Sequence, residues 1–283
     1  MKKLKYDKIG YWSDVKLDII KEYAAAYTRI MAAQQSPSFT YIYIDAFAGA
    51  GRHVSRKTGE FVSGSPFNAL NIQRPFHEYH FIDLEDTKVV ELEDLARERD
   101  NVFVYHGDCN KILPCEVLPR ADYSKYCRAL CILDPYGMHL NWEVVETAGR
   151  MKSVEVFLNF PVMGINRNVL KHNQAKVERK QINRMNALWG DESWRDVAYA
   201  EPKQQALPGL GDTTDEKTTN EALEAGFRRR LETVAEFRYV PKPMPMRNSR
   251  NAIVYYLYFA SHKPVAAQIV EAIFKKYSQR RAD

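Results

Sequence analysis

The spacing of apolar residues changes along the chain between a helical and a strand-like pattern. Near the N-terminus they recur every three or four positions, at Leu17, Ile20, Tyr23, Tyr27 and Ile30. This spacing predicts an amphipathic helix within the first 40 residues, with Ser13 as a cap. Short β-favouring runs then alternate with helical stretches, at residues 41–44, 79–82, 102–105, 129–133 and 154–159. The alternation predicts a parallel sheet with helices on both faces.

The C-terminal third of the chain has a different pattern. Two β-favouring runs, 236–240 and 252–260, are joined by a short proline-containing link, which predicts an antiparallel pair, and a helix is predicted over 265–277. We therefore expect a doubly wound, seven-stranded, Rossmann-like α/β sheet that ends in this pair. The expected organisation is an N-terminal helical segment (1–40), a core (41–160 and 236–283) and a mainly helical insert (161–235) that recognises the target.

Composition is that of an ordinary globular protein, because 45% of the 283 residues are hydrophobic and 27% are charged. No apolar run approaches the roughly 20 residues of a membrane span, and no apolar signal core follows the basic N-terminus. We therefore expect a cytoplasmic protein without a membrane partner. The net charge of +5 favours an anionic partner. The four cysteines lack the paired spacing of a zinc site, so we expect reduced thiols and no metal.

Acidic residues and glycines follow the predicted strands, where a parallel sheet presents its ligand-binding groups. Asp-Ala-Phe-Ala-Gly-Ala-Gly at residues 45–51 follows the first strand, and its small residues permit a tight turn close to a ligand. Asp83 follows the second strand, either as an acceptor for two ribose hydroxyls or as a charge at a helix N-terminus. Asp108 follows the third strand, as an acceptor for an adenine amino group.

The order of these strand ends resembles that of class I methyltransferases over about residues 41–260. The resemblance implies S-adenosylmethionine as cofactor. The predicted cofactor-binding residues are Asp45, Phe47, Gly49, Gly51, Asp83, Asp108 and Cys109. Within this set the resemblance assigns Asp45 and the two glycines to the methionine and ribose part, Asp83 to the ribose and Asp108 to the adenine. A nicotinamide cofactor is disfavoured because Val54 stands where a dinucleotide-binding loop has its third glycine.

A closer resemblance rests on motifs spread over nearly the whole chain. They are the helix 12–31 with its Lys-Leu start at 16–17, Asp-Ala-Phe-Ala-Gly at 45–49, Gly-Ser-Pro at 64–66, Leu-Asp-Pro-Tyr-Gly-Met at 133–138 and Tyr-Leu-Tyr-Phe at 256–259. Together they resemble the three-Cys-motif partner family, often abbreviated TcmP. The resemblance implies association with a separate protein that carries three cysteines, and it says little about substrate.

The turn after the fourth strand, Asp-Pro-Tyr-Gly at 134–137, resembles the Asp/Asn-Pro-Pro-aromatic motif of methyltransferases that modify exocyclic amines of bases. It is also similar to the Asp-Pro-Phe-Gly variant of transfer-RNA guanine dimethyltransferases. The resemblance implies catalytic roles for Asp134, Pro135 and Tyr136: Asp134 holds the protons of the amine, and Tyr136 stacks on the extruded base. The second proline is missing, which leaves adenine and guanine open. The alternative is a turn shaped by Pro135 and Gly137.

Basic residues are concentrated in the insert between positions 167 and 184. They are Arg167, Lys171, Lys176, Arg179, Lys180 and Arg184, and the segment contains one acid, Glu178. Their spacing predicts a stripe on one helix that binds a phosphate backbone, or else an ordinary solvated helix face. Phe160 ends the fifth strand and is expected to stack on a base or to pack as a core or rim aromatic. The polar segment 52–64 predicts a loop, either a lid or a solvated insertion.

These observations predict an S-adenosylmethionine-dependent methyltransferase that acts on an exocyclic purine amine of RNA or DNA. Two alternatives stay open. One is a catalytically weak or inactive partner protein that uses the same fold to engage a three-Cys-motif protein. The other is methyl transfer to a protein or a small molecule.

Overall fold

The main sheet of the protein has seven strands. The computed structural model describes residues 8–9, 11–34, 38–55, 59–171, 176–200 and 216–279. The strands are β1 Thr40–Asp45, β2 Glu78–Asp83, β3 Val102–His106, β4 Cys127–Leu133, β5 Val154–Phe160, β6 Met244–Arg247 and β7 Ile253–Ala260. They lie in the order β6-β7-β5-β4-β1-β2-β3. Neighbours among β1 to β5 are parallel, whereas β7 is antiparallel to β5 and β6, which confirms the predicted fold class.

Both faces of the sheet are buried. In β1, Ile42 and Ile44 pack into one hydrophobic cluster, and Tyr41 and Tyr43 pack into a second cluster on the opposite face. Successive side chains of a strand point to opposite faces, so a strand covered on both sides needs apolar residues at consecutive positions. This requirement explains why the central strands are continuous apolar runs in the sequence.

Nine helices surround the sheet within the described ranges, besides the short helical turns of residues 109–120. They are α1 Tyr11–Ala32, α2 Ser65–Leu70, α3 Asp86–Ala96, α4 Trp142–Arg150, α5 Val162–Asn168, α6 Arg179–Trp189, α7 Trp194–Ala198, α8 Asn220–Thr233 and α9 Pro264–Ser278. Residues of α1, α2, α3 and α9 pack against the Tyr43 face. Residues of α4 to α8 pack against the Ile44 face. None of these helices is both long and apolar enough to cross a membrane.

Helices of the region 161–235 share the core of the sheet. Phe227 of α8 stacks on Phe160 of β5 with ring centroids 4.3 Å apart, and it also contacts Trp142 and Trp189. The rings are fully or almost fully buried. This aromatic cluster fixes α6 and α8 to the same face as α4, so the described part of the insert is held at the sheet by buried apolar contacts.

The C-terminal antiparallel pair differs from the prediction in its first strand. Residues 236–240 make an isolated bridge between Tyr239 and Ser261, and the strand that pairs with β7 is β6, further along the proline-containing link. Pro245 lies within β6 opposite Tyr256. Proline is tolerated there because β6 is the edge strand and pairs on one side. The proline-containing segment that predicted a link between two strands therefore contains the edge strand itself.

Two further local predictions are corrected by the structure. The segment 52–64 contains an antiparallel pair, Arg52–Ser55 with Phe61–Ser63, where a loop was expected. Helix α1 begins before Ser13, so this serine is not its cap. Residues 201–215 of the predicted insert lie outside the described residues.

Candidate active site

A cavity of about 450 Å³ lies at the carboxyl ends of the central strands and is closed on one side by the start of α1. Parallel strands present their carboxyl ends at one edge of a sheet, so the turns after β1, β2 and β4 meet there. Seven residues predicted from the sequence line this cavity: Phe47, Gly49, Asp83, Asp134, Pro135, Tyr136 and Arg167. The structure therefore brings predicted cofactor-binding and predicted catalytic residues into one space.

The turn after β1 is tied to the end of β2 through backbone donors. The Gly49 N–H donates to Asp83 Oδ2 at 2.8 Å, and the Glu85 N–H donates to Asp83 Oδ1 at 2.9 Å. Gly49 has φ 67°, a left-handed conformation that glycine adopts without strain. A carboxylate oxygen accepts more than one hydrogen bond, so Asp83 keeps acceptor capacity toward the cavity.

Two other predicted residues of the first turn, Asp45 and Gly51, are buried and do not line the cavity. Asp45 is 1% exposed, its Oδ1 accepts from the Phe47 N–H at 3.3 Å, and its Oδ2 is buried without a hydrogen-bond partner among the described residues. Burial raises the pKa of Asp45 to about 7, although Ser65 and the Phe47 amide oppose the shift. A Cβ atom at Gly51 would lie 2.8 Å from Leu95 Cδ1, so this glycine serves the packing of α3.

Asp134 is held on both oxygens by residues distant in sequence. Its Oδ2 accepts from Lys16 Nζ of α1 in a short ion pair, and its Oδ1 accepts from Asn159 Nδ2 at 2.7 Å. Burial of Lys16 lowers its pKa, but the attraction of Asp134 outweighs this effect, so the pKa is raised above its ordinary value. The ammonium also lies 5.5 Å from the ring centroid of Tyr255. The pair therefore places a positive charge directly against Asp134.

Tyr136 stands at the mouth of the cavity and is 67% exposed. The Lys88 ammonium lies 5.2 Å from its ring centroid, and the preceding Pro135 is buried. Gly137 has φ 56°, so the turn after β4 reverses through a left-handed position. An exposed aromatic ring beside a carboxylate provides a flat apolar surface next to a hydrogen-bond acceptor.

The predicted adenine acceptor lies outside the cavity. Asp108 is exposed and caps the helical turn Cys109–Ile112, because its Oδ1 accepts from the backbone N–H of Asn110 at 3.0 Å. Cys109 is buried, and burial raises the pKa of its thiol to about 12. Asp108 follows β3, the neighbour of β2, and therefore lies at the same edge of the sheet as Asp83. It does not line the cavity.

Phe160 does not face the cavity. Its ring is 0% exposed and stacks on Phe227 within the core, so the prediction that it stacks on a base is wrong for this arrangement and the core alternative holds. Asn159, one position earlier, points to Asp134 instead. Alternation along the strand explains the difference, because adjacent residues face opposite sides.

The predicted basic stripe does not lie on one helix. Arg167 belongs to α5 and lines the cavity, Lys171 follows that helix, and α6 begins at Arg179. Lys171, Lys176 and Lys180 are exposed, and Arg184 is half-buried. Lys180 and Arg184 are one turn apart on α6, and both lower the pKa of His139 after the larger effect of burial. They therefore form a basic rim near the turn after β4.

The sequence patterns do not single out three residues that line the cavity, Lys16, Asn159 and Tyr255. The signal for Lys16 is its position on the apolar stripe of α1, four residues before Ile20 and seven before Tyr23. A lysine on a buried helix face needs a partner of opposite charge. The sequence did not indicate which carboxylate would supply that charge.

Neither metal ligation nor disulfide formation is evident in the described parts of the chain. No group of three or more histidine, cysteine or acidic side chains there is placed to hold a metal. The four cysteines are free thiols, and Cys115 is exposed while the other three are buried. The described part of the candidate site is thus built from carboxylate, ammonium, amide and aromatic groups.

Comparisons with known proteins find solved structures with a similar fold but do not assign the chain to a family. No protein-family model matches the sequence, and the search of curated proteins found no match. Protein LPL1258 from Legionella pneumophila str. Philadelphia 1, assigned to DUF519, has a similar structure with TM-score 0.54 and 12% identity, over 93% of this chain and 91% of that chain.

Two solved methyltransferase structures are more distant. One is a putative methyltransferase from Thermobifida fusca YX, with TM-score 0.41 and 12% identity over 87% of this chain and 81% of that chain. The other is the trans-methyltransferase CalH in complex with SAH, with TM-score 0.37 and 14% identity over 85% of this chain and 56% of that chain. At these identities the likeness concerns the fold alone. The likeness to LPL1258, over nearly the whole of both chains, supports the α/β fold described above.

Proposed function

We propose that this protein is an S-adenosylmethionine-dependent methyltransferase that acts on an exocyclic purine amine of RNA or DNA. One observation carries the proposal: the same cavity is lined by the Gly49 turn with Asp83 and by the Asp134-Pro135-Tyr136 turn. The first group can bind a ribose and lets a ligand come close to the backbone at Gly49. The second group can bind an amine that is carried on a flat ring. Methyl transfer requires that the donor and the acceptor are bound side by side, and the two groups of residues lie side by side at the carboxyl edge of the sheet.

The residues around the cavity are compatible with the proposed cofactor. A volume of about 450 Å³ falls within the range of small-molecule sites. Asp83 would accept from the ribose hydroxyls, Gly49 would allow close backbone approach, and the unpartnered Oδ2 of Asp45 would support the donor end from below. When bound, S-adenosylmethionine supplies an electrophilic methyl group on a sulfonium sulfur. Asp108 and Cys109 would reach an adenine only beyond the rim of this cavity.

The protein's own residues would orient the target amine. Asp134 accepts hydrogen bonds from the amine and thereby directs the nitrogen lone pair toward the methyl donor. Lys16 and Asn159 hold this carboxylate in place, since each binds one of its oxygens. Tyr136 stacks on a base that has left its strand. Arg167 at the cavity and the basic rim of Lys180 and Arg184 contact phosphates, so the insert 161–235 acts as the target-recognition region.

A second candidate is favoured by the same ion pair. Lys16 and Asn159 already engage both oxygens of Asp134, which leaves fewer lone pairs for a target amine than a free carboxylate would have. A catalytically weak or inactive partner protein for a three-Cys-motif protein would retain such a pair for stability. The motifs that resemble the TcmP family support this candidate.

Calorimetry with S-adenosylhomocysteine and transfer of a labelled methyl group to total RNA and total DNA separate the candidates. Binding at one site per chain with label incorporated into nucleic acid supports the proposed function. Binding without transfer to nucleic acid favours the partner protein, or methyl transfer to a protein or a small molecule if label appears there. Failure to bind S-adenosylhomocysteine would reject the proposed function.

A further inference from the structure

A second cavity, of about 400 Å³, lies at the opposite edge of the sheet. It is formed where β4 and β5 begin, between the last turns of α1 and the start of α9, and six of its lining residues are Tyr27, Phe39, Arg128, Lys152, Glu155 and Lys263. The two cavities share no lining residue. A function of the second cavity therefore does not rest on the proposed methyl transfer.

A buried hydroxyl at this cavity has no partner. Tyr27 is 2% exposed, and its hydroxyl oxygen is buried without a hydrogen bond to any described residue. The neighbouring Tyr23 differs, because its hydroxyl donates to Glu155 Oε2 at 2.5 Å, and Ser261 Oγ donates to Oε1 at 3.2 Å. Buried polar groups are nearly always paired, since an unpaired group loses its hydration without compensation. The Tyr27 hydroxyl thus marks a polar contact that a ligand can supply.

The charge around the cavity is positive. Lys152 and Lys263 are exposed, have no ion-pair partner among the described residues, and both lower the pKa of His262 after the larger effect of burial. Arg128 lies 3.7 Å from the ring centroid of Tyr123. Glu155 is an acidic lining residue, and burial raises its pKa to about 7, so its negative charge is partly lost near neutral pH.

The remaining wall is apolar. Ile30 and Met31 of α1 face Val265 and Ile269 of α9 across the cavity, and Val265 is 47% exposed. A pocket with apolar walls and a few convergent polar groups is typical of small-molecule sites. The combination of an apolar wall, two ammonium groups and a hydroxyl selects an amphipathic anion over a sugar or a metal ion.

We propose that this second cavity binds a small organic acid, with an apolar body against the α1 and α9 wall and a single carboxylate recognised by Lys152 and Lys263. The Tyr27 hydroxyl contributes a hydrogen bond from the floor of the site. The ligand class is an aryl or acyl carboxylate, because a larger polyanion would find no apolar surface to use. Binding there is independent of S-adenosylhomocysteine.

Calorimetry with 1-naphthoate as the probe tests the site in the full chain. The wild-type protein should bind one probe molecule, and the neutral analogue 1-naphthylmethanol should bind at least about tenfold more weakly, because it lacks the charge-assisted contacts. The double variant Lys152→Gln/Lys263→Gln should bind 1-naphthoate about tenfold more weakly than the wild type does. Both lysines are exposed, so this variant should remain folded.

The matched control is Lys125→Gln, an exposed lysine outside the cavity, which should bind the probe as the wild type does. Tyr27→Phe should weaken the probe without lowering thermal stability, because the hydroxyl has no partner to lose. Saturating S-adenosylhomocysteine should leave probe affinity unchanged, which keeps this test separate from that of methyl transfer. Absence of saturable binding, or equal affinity in the wild type and the double variant, would overturn the proposal.

Discussion

Asp83 at the end of β2 and Asp134 directly after β4 line the same cavity, but the two carboxylates are held in different ways. Asp83 accepts from two backbone N–H groups, the more distant of which is 34 positions away in sequence. Asp134 is held by the side chains of Asn159 and Lys16, and Lys16 is 118 positions away. A carboxylate fixed by backbone amides depends on local turns, whereas one fixed by a lysine depends on the docking of a whole helix.

This difference separates binding from catalysis in the proposed mechanism. The Asp83 end is built from the sheet itself and should form wherever this fold forms. The Asp134 end needs α1 in place, because Lys16 neutralises a carboxylate that would otherwise be only partly solvated. Changes at the two ends should therefore affect different quantities, and the following experiments test that separation.

The largest expected effect is at Asp134. Asp134→Ala should lower methyl transfer by roughly 10²–10⁴-fold, the range for a positioned proton acceptor, while the affinity for S-adenosylhomocysteine changes little. Label transfer to RNA and DNA and calorimetry measure the two quantities on protein confirmed as folded. Full transfer activity in this variant would reject the catalytic assignment. A lost cofactor affinity would place Asp134 in the donor site and remove the contrast with Asp83.

Asp45 should make the stability of the first turn depend on pH. Its pKa is raised to about 7 by burial, so between about pH 4 and pH 7 the unfolded chain releases a proton that the folded protein retains. The wild type should therefore lose stability over this range relative to Asp45→Asn, by up to about 4 kcal/mol above pH 7. Chemical denaturation from pH 4 to pH 8 measures the difference.

Glu155→Gln is the matched control, because Glu155 is a second buried carboxyl whose pKa is raised to about 7. It should show the same pH trend without any change in S-adenosylhomocysteine affinity, whereas Asp45→Asn should weaken that affinity. An Asp45→Asn protein with the pH profile of the wild type would contradict the burial argument.

Removal of Lys16 should destabilise the protein by about 1–3 kcal/mol, because Asp134 would lose its counter-charge and keep only the hydrogen bond from Asn159. Lys16→Met is compared with Lys21→Met, an exposed lysine on the same helix. In a double-mutant cycle with Asp134→Asn, the two changes should couple by roughly 0.5–3 kcal/mol. Strict additivity would show that the ion pair adds nothing to stability.

Asp83→Ala should weaken S-adenosylhomocysteine binding by about 1–3 kcal/mol, the contribution of hydrogen bonds to two hydroxyls. Glu85→Ala is the control, since its exposed side chain pairs with Lys88 and does not line the cavity. Calorimetry measures both variants. Equal affinity of Asp83→Ala and the wild type for S-adenosylhomocysteine would show that the ribose does not bind at Asp83. Asp83 would then serve only as a structural acceptor for the Gly49 turn.

The smallest effect is expected at the basic rim. Neutralising Lys180 and Arg184 should reduce the slope of log affinity against log salt by about 0.9 per lost phosphate contact for duplex DNA and about 0.7 for a single strand. Neutralising Lys125, an exposed lysine outside the candidate site, should leave the slope unchanged. A salt-independent interaction, or none with either nucleic acid, would favour the partner-protein candidate.

The sequence by itself determined the order of the elements and most of the strand ends. Apolar runs with helices between them predicted five strands within one or two residues of their observed ends, and the residues after β1, β2 and β4 were correctly expected at one edge. These features are local, because the burial of both faces dictates consecutive apolar residues and a parallel sheet places its carboxyl ends together.

Only the tertiary structure decided which of these residues share a cavity and what holds them. Asp108 follows its strand as expected but is exposed to solvent, and Gly51 packs on α3. Phe160 is buried in the core, whereas Asn159 faces Asp134. The strand period of two fixes the alternation but not its phase relative to the site. The Lys16–Asp134 pair was equally hidden, because a charge on an apolar helix stripe demands a partner without naming it.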